Sequence, residues 1–128
     1  MRLLLDTHAL IWWFAGDASL SENARIAITE PDNDILVSAA SAWEITTKFR
    51  IGRLPRAAAL AADVSGAIAS QAFTELPITV RHGETAGNLP GPHRDPFDRM
   101  LIAQALLADV IVVSNEAVFD QYGVRRLW

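Results

Sequence analysis

The chain has 128 residues, of which 51% are hydrophobic and 20% charged, with a net charge of −4; that is one domain, long enough for a real core. The absence of cysteine rules out disulfides and Cys-based zinc sites, and a disulfide-free chain fits a cytoplasmic protein. No apolar run approaches the roughly 20 residues of a membrane span, and the acidic balance argues against a sequence-specific DNA binder, although a carboxylate site offset by a bound cation would leave the same excess.

In chain order, Leu3–Leu5 is a short apolar run that predicts a buried strand. Asp6 and His8 interrupt the N-terminal MRLLLDTHALIWWF, so it does not read as a signal peptide. His8–Ala15 predicts a helix stopped near Gly16. Ser19-Leu-Ser-Glu22 offers a capping box for a helix over 20–30. A turn at 31–34 leads to a strand at Ile35–Val37 and a helix at Ser38–Phe49 that Gly52 ends. Leu60, Val64 and Ile68 stand four apart in the alanine-rich stretch 56–72, one face of a helix. Phe73–Ile78 predicts a strand, Thr79–Gly87 a short helix, and the Pro/Gly-rich 88–94 a loop. Asp95–Ala108 predicts a helix, Val110–Val113 a strand, and Val124–Leu127 a last strand. Continuous apolar strands alternating with helices predict a single α/β domain over 1–128, a three-layer sandwich around a mostly parallel sheet.

Four acidic residues fall at or soon after a strand's carboxyl end or at a helix start. Asp6 ends the first strand, where open parallel sheets bind ligands; capping the following helix is its plainer role. Glu44 sits on a small, polar helix face, and a solvated pair with Lys48 explains it equally well. Asp98 shares its helix face with Leu101, Ile102 and Ala105, an expensive place for a lone carboxylate unless paired or cation-bound; pairing with Arg94 or Arg99 is the alternative. Glu116 follows the fourth strand, otherwise a first-turn carboxylate after Ser114. Asp95, before Pro96, reads first as an N-cap. Hard oxygen donors grouped in this way suit Mg²⁺ or Mn²⁺, and two such ions can activate water and stabilise the leaving oxygen in phosphodiester cleavage.

LLLDTHALIWW, SAASAWEI, LPITVRH, HRDPFDRMLIAQA and VVSNEAVFDQYGV together resemble PIN-domain ribonucleases, and within them the VapC-type toxins of toxin–antitoxin pairs. The matching stretches keep the family's order and span nearly the whole chain. The resemblance implies a PIN fold, Mg²⁺- or Mn²⁺-dependent endoribonuclease activity on RNA, a homodimer and silencing by a cognate antitoxin. Carried over, the acidic cluster is Asp6, Glu44, Asp98 and Glu116, with Asp95 a further candidate ligand. One departure is Ser114-Asn115-Glu116, where the family often has Thr-x-Asp; the charge is kept on a side chain one methylene longer, which bears on a second metal position more than on the first.

The three histidines read as packing, helix-edge and loop residues, with RNA contact by His93 the sharper alternative. KFRIGRLPR is a basic segment in an acidic chain, either a solvated helix end or a lip that contacts phosphate. Arg99 is expected to face phosphate or pair with Asp95, and Trp43 to lie in the core. Trp12, Trp13 and Phe14 are consecutive, so a helix cannot bury all three on one narrow face; an antitoxin groove or a dimer surface would use the remainder. A HAD-type phosphatase needs an aspartate where His8 stands, and a receiver domain needs paired acids and a late lysine, whereas the only lysine is Lys48. The rival that survives is a PIN-like binding module without catalysis.

Overall fold

A computed structural model describes all residues, 1–128. Five strands form one sheet: β1 (Arg2–Leu5), β2 (Asp34–Ser38), β3 (Thr74–Leu76), β4 (Ile111–Val113) and β5 (Arg126–Leu127), in the order β3-β2-β1-β4-β5. Every pairing is parallel, with Leu5 opposite Val37 on one side and Val113 on the other. The helices are α1 (Thr7–Ala15), α2 (Glu22–Thr29), α3 (Ala39–Arg50), α4 (Ala58–Ala62), α5 (Val64–Ser70), α6 (Val80–Asn88) and α7 (Pro96–Ala108). Short 3-10 segments occupy Pro55–Ala57 and Ala117–Tyr122.

The strands read as unbroken apolar runs because helices cover both faces of the sheet. Leu3 and Leu5 join α1, α2, Ile45 of α3, Leu60 and Ile68 in one core. Leu4 and Leu36 point the other way, to Leu101, Ile102 and Ala105 of α7 and to Phe119. This is the three-layer sandwich the patterning predicts. No helix is long and apolar enough to cross a membrane.

Several local expectations are corrected. The cap of α2 is Ser21, which accepts from the Ala24 N–H at 3.1 Å, and not Ser19, whose N–H is turned onto the Asp17 carboxylate. A genuine capping box lies instead at α6, between Thr79 and His82. The single helix expected over 56–72 is broken at Asp63, whose carboxylate caps α5 through the Gly66 N–H at 2.9 Å; an aspartate that offers its side chain to the backbone competes with helix continuation. The strands expected over 73–78 and 124–127 are trimmed to Thr74–Leu76 and Arg126–Leu127. Trp43 is 62% exposed and not in the core. Trp12, Trp13 and Phe14 are all half-buried, packed against Trp128 and Phe73.

Candidate active site

The winding of the sheet reverses beside β1: β2 and β3 extend to one side, β4 and β5 to the other. At such a reversal the loops leaving neighbouring strands diverge and open a crevice beyond their carboxyl ends. Asp6 leaves β1 there and Ser114 leaves β4. Backbone hydrogen bonds fix both strand ends in the sheet: Asp6 N–H to the Val113 carbonyl at 3.1 Å joins β1 to β4, and Ser114 N–H to the Leu127 carbonyl at 3.2 Å joins β4 to β5.

Asp6 does what both readings of it ask. Its Oδ1 caps α1 by accepting from the Ala9 N–H at 2.7 Å, and the residue is only 4% exposed. Burial raises its carboxyl from 3.8 to about 6, against the lowering influence of the Ser114 hydroxyl and the Ala9 N–H; His8 also lowers it, and Glu116 raises it. No lysine or arginine pairs with Asp6: the ion pairs of the fold lie elsewhere.

Asp98 enters from α7, the helix on the opposite face of the sheet. Asp95 caps that helix through the Asp98 N–H at 2.9 Å, and Pro96 holds the first position. The Asp98 carboxyl is raised to about 6, chiefly by burial, with Asp95 and Glu116 adding repulsion and His93 opposing them. His93 Nε2 stands 2.8 Å from Asp98 Oδ2, so the partner of Asp98 is neither Arg94 nor Arg99. Glu116 acts on both Asp6 and Asp98, a minor influence on each beside burial. Ser114 steers it by accepting the Glu116 N–H at 3.0 Å, and His8 Nδ1 lies 3.8 Å from Glu116 Oε1.

Glu44 stands apart in its bonding. It is 5% exposed, not solvated, and paired with Lys48 one turn on, whose ammonium also lies 5.8 Å from the Phe97 ring centre. It is not among the charges that shift Asp6 or Asp98. Its helix is nevertheless fastened beside Asp6: Thr7 donates to the Ser41 hydroxyl at 3.1 Å, both buried. No three Asp, Glu or His side chains stand together at the spacing of a formed metal cage.

Four supporting residues escape sequence reasoning. Arg99 does not pair with Asp95; its guanidinium donates to the carbonyls of Ala86 at 3.2 Å, Leu89 at 2.5 Å and His93 at 3.0 Å. Ser38 donates to Gln104 Oε1 at 2.5 Å, and Gln104 Nε2 reaches the Pro77 carbonyl at 3.2 Å. A glutamine inside an apolar helix face is the signal for the last pair, since a buried amide demands partners. His93, read as a loop residue, gives no sign in sequence of its reach to Asp98.

The residues at the reversal fit a hard divalent cation by donor chemistry. Asp6 is a buried carboxylate without a lysine or arginine partner, Glu116 acts on it and on Asp98, and all three offer oxygen only. Fold and crevice define an α/β sandwich with acids beyond the carboxyl ends of parallel strands. The PIN-domain family model matches residues 3–124, and the chain belongs to that family.

Among solved structures, the chain is similar to Mycobacterium tuberculosis VapC20, described as a toxin that cleaves the sarcin-ricin loop, at 19% identity and TM-score 0.68 with 95% of each chain covered. It is similar to VapBC2 from Rickettsia felis, solved on a DNA fragment from its promoter, at 12% identity and TM-score 0.68, covering 98% of this chain and 97% of that one. FitAcB from Neisseria gonorrhoeae aligns at 15% identity and TM-score 0.68, covering 97% and 95%. These likenesses establish the fold. No curated protein matches the chain.

Proposed function

We propose that the chain is an endoribonuclease that uses Mg²⁺ or Mn²⁺, and that it is the toxin of a toxin–antitoxin pair. The observation that carries this reading is Asp6: a buried carboxylate at the sheet's reversal, raised to about 6, with no lysine or arginine partner and with the acidic Glu116 acting on it. Membership of the PIN family and the toxin named among the similar structures support it.

In this reading Asp6, Asp98 and Glu116 would hold the cation, Glu44 would join once released by Lys48, and Asp95 remains the cap of α7. Such an ion, when bound, supplies an acidified water and charge stabilisation at phosphorus. The chain's own residues do the rest. Ser114 and Ala9 orient Glu116 and Asp6. His93 holds Asp98 toward the crevice. Burial keeps both aspartates dependent on an incoming positive charge. A homodimer, a cognate antitoxin and a cytoplasmic setting complete the proposal, all on the family resemblance.

A second reading, a PIN-like binding module without catalysis, is favoured by one observation: Lys48 and His93 already engage Glu44 and Asp98, and no formed metal cage exists. Two measurements separate the readings. Purified protein incubated with total RNA should cut it only with Mn²⁺ or Mg²⁺ present, and Asp98→Ala should abolish the cutting. Calorimetric titration with Mn²⁺ should give heat that disappears in Asp6→Asn. Equal cleavage by wild type and Asp98→Ala removes Asp98 from the reaction; no heat and no cleavage leaves the binding module.

A further inference from the structure

A second concave feature lies beside the crevice, on the outer side of α1. Gly52, at φ +79°, ends α3 and turns the chain back over α1, with the Arg53 N–H returning to the Lys48 carbonyl at 2.8 Å. The returning segment is the basic KFRIGRLPR stretch. Between it and α1 is a cavity of about 310 Å³ whose walls include His8, Trp12, Asp17, Arg53 and Arg56.

Its chemistry is unusual for an acidic chain. Arg53 and Arg56 are exposed, and neither guanidinium figures in the fold's ion pairs or side-chain hydrogen bonds. The one carboxylate on the wall, Asp17, accepts the Ser19 N–H at 2.8 Å and feels the charge of Arg56 without forming an ion pair with it. Beside the aliphatic Ile11 and Leu54, the wall carries an aromatic pair: His8 and Trp12 lie with ring centres 5.5 Å apart, and Trp12 is backed by Trp128 at 5.8 Å. His8 also links the cavity to the crevice, through its 3.8 Å approach to Glu116. Free guanidiniums beside an aromatic face are what a single strand of nucleic acid requires, because phosphates take the charge and bases stack on the rings. An apolar peptide would leave both arginines without partners.

We infer that this cavity seats a nucleotide of single-stranded RNA that flanks the bond cut at the crevice, with Arg53 and Arg56 on its phosphates and the His8–Trp12 face against its base. The inference rests on the ribonuclease reading and adds to it the path of the strand: over α1, past His8, to Glu116 and Asp6.

The test uses the full chain in EDTA, so that nothing is cut, and a fluorescein-labelled single-stranded RNA octamer of mixed sequence followed by anisotropy. Arg53→Gln with Arg56→Gln should weaken binding about tenfold or more. It should also flatten the slope of log K against log salt by about 1.4, two phosphate contacts at roughly 0.7 each on a single strand. Arg53→Lys with Arg56→Lys should restore the slope, which a merely structural role of the arginines would not. RNA should quench tryptophan fluorescence in wild type, and the quench should shrink in Trp12→Phe. Unchanged affinity and slope in the glutamine variant, with wild type still binding and cutting RNA, overturns the inference and leaves the ribonuclease reading standing. A wild type that neither binds nor cuts RNA overturns both. Loss of binding to a protein partner alone, with RNA binding intact, assigns the cavity to that partner and overturns the inference.

Discussion

His93 and Asp98 hold each other across the turn that opens α7, Nε2 to Oδ2 at 2.8 Å. The imidazole is one of the influences that lower the Asp98 carboxyl, against a burial effect that has raised it to about 6. Replacing His93 with alanine therefore raises Asp98 further, and the proton must be lost before the carboxylate can meet a cation. The acid limb of Mn²⁺-dependent RNA cleavage should move to higher pH in His93→Ala, with the alkaline side unchanged. A pH–rate profile of the two proteins checks this; a limb that stays put or moves down excludes the coupling.

Asp6 carries the opposite consequence for stability. Its folded-state carboxyl lies near 6 against an ordinary 3.8, so the fold prefers the protonated form. That contribution is full below about pH 4 and lost as pH rises through 6. A shift of roughly two units corresponds to about 3 kcal/mol. Asn caps helices as well as Asp does and never ionises, so Asp6→Asn should raise the Tm of the metal-free protein by several degrees at pH 7.5 and by almost nothing at pH 4. Millimolar Mn²⁺ should stabilise wild type at pH 7.5 and leave Asp6→Asn unmoved, and EDTA should reverse the wild-type gain. Scanning calorimetry at the two pH values decides it; equal Tm differences at both would show that burial of the charge is not what strains the apo fold.

Arg99 is the buckle of the loop over 89–95. Its guanidinium serves three carbonyls, and bonds from a charged donor contribute about 1.5–3 kcal/mol each without adding fully. Arg99→Ala should cost roughly 2–4 kcal/mol in urea unfolding. Arg99→Lys should recover only part, because an ammonium lacks the planar fork. Full recovery by lysine would mean that charge alone, and not the geometry of the fork, fastens the loop.

Much of this was legible in the residues, and the exceptions share a cause. The buried strands at Leu3–Leu5 and Ile35–Val37 were readable because parallel strands covered on both faces must be apolar throughout. Asp95-Pro96 was readable as a cap because both preferences are local, and the i,i+4 spacing gave away the Glu44–Lys48 pair. What stayed hidden depends on distant partners. Arg99 looks like a surface arginine until the loop folds over it. Trp43 looks like core until Phe97, 5.0 Å away ring to ring, is seen to cover only one of its sides. Ser19 reads as the start of a capping box, but its N–H is taken by the Asp17 carboxylate and Ser21 caps α2 instead. Glu44 read as solvated because its helix neighbours are small, and it is their smallness that lets the neighbouring elements close over it.

Gly91 is a third place to test the loop. Its φ is +92°, and a Cβ built there would lie 2.7 Å from the Tyr122 hydroxyl, which itself accepts the His93 N–H at 3.3 Å. Gly91→Ala combines an unfavourable backbone angle with displacement of that hydroxyl, and should cost about 1–2 kcal/mol. It should also shift the acid limb in the direction of His93→Ala, since His93 loses its anchor. Tyr122→Phe, which removes the hydroxyl but leaves the Gly91 backbone unstrained, should lower stability less; a larger loss there than in Gly91→Ala would put the strain elsewhere.

The backbone bonds between Asp6 and Val113 and between Ser114 and Leu127 have a last consequence. One jaw of the crevice is set into the sheet and cannot move without unfolding it. The other, Asp98, stands in the first turn of α7, and its carboxylate is aimed by His93 from a short surface segment that Arg99 and the Tyr122 hydroxyl fasten. A few substitutions in that segment can therefore re-aim one carboxylate while the floor set into the sheet stays as it is.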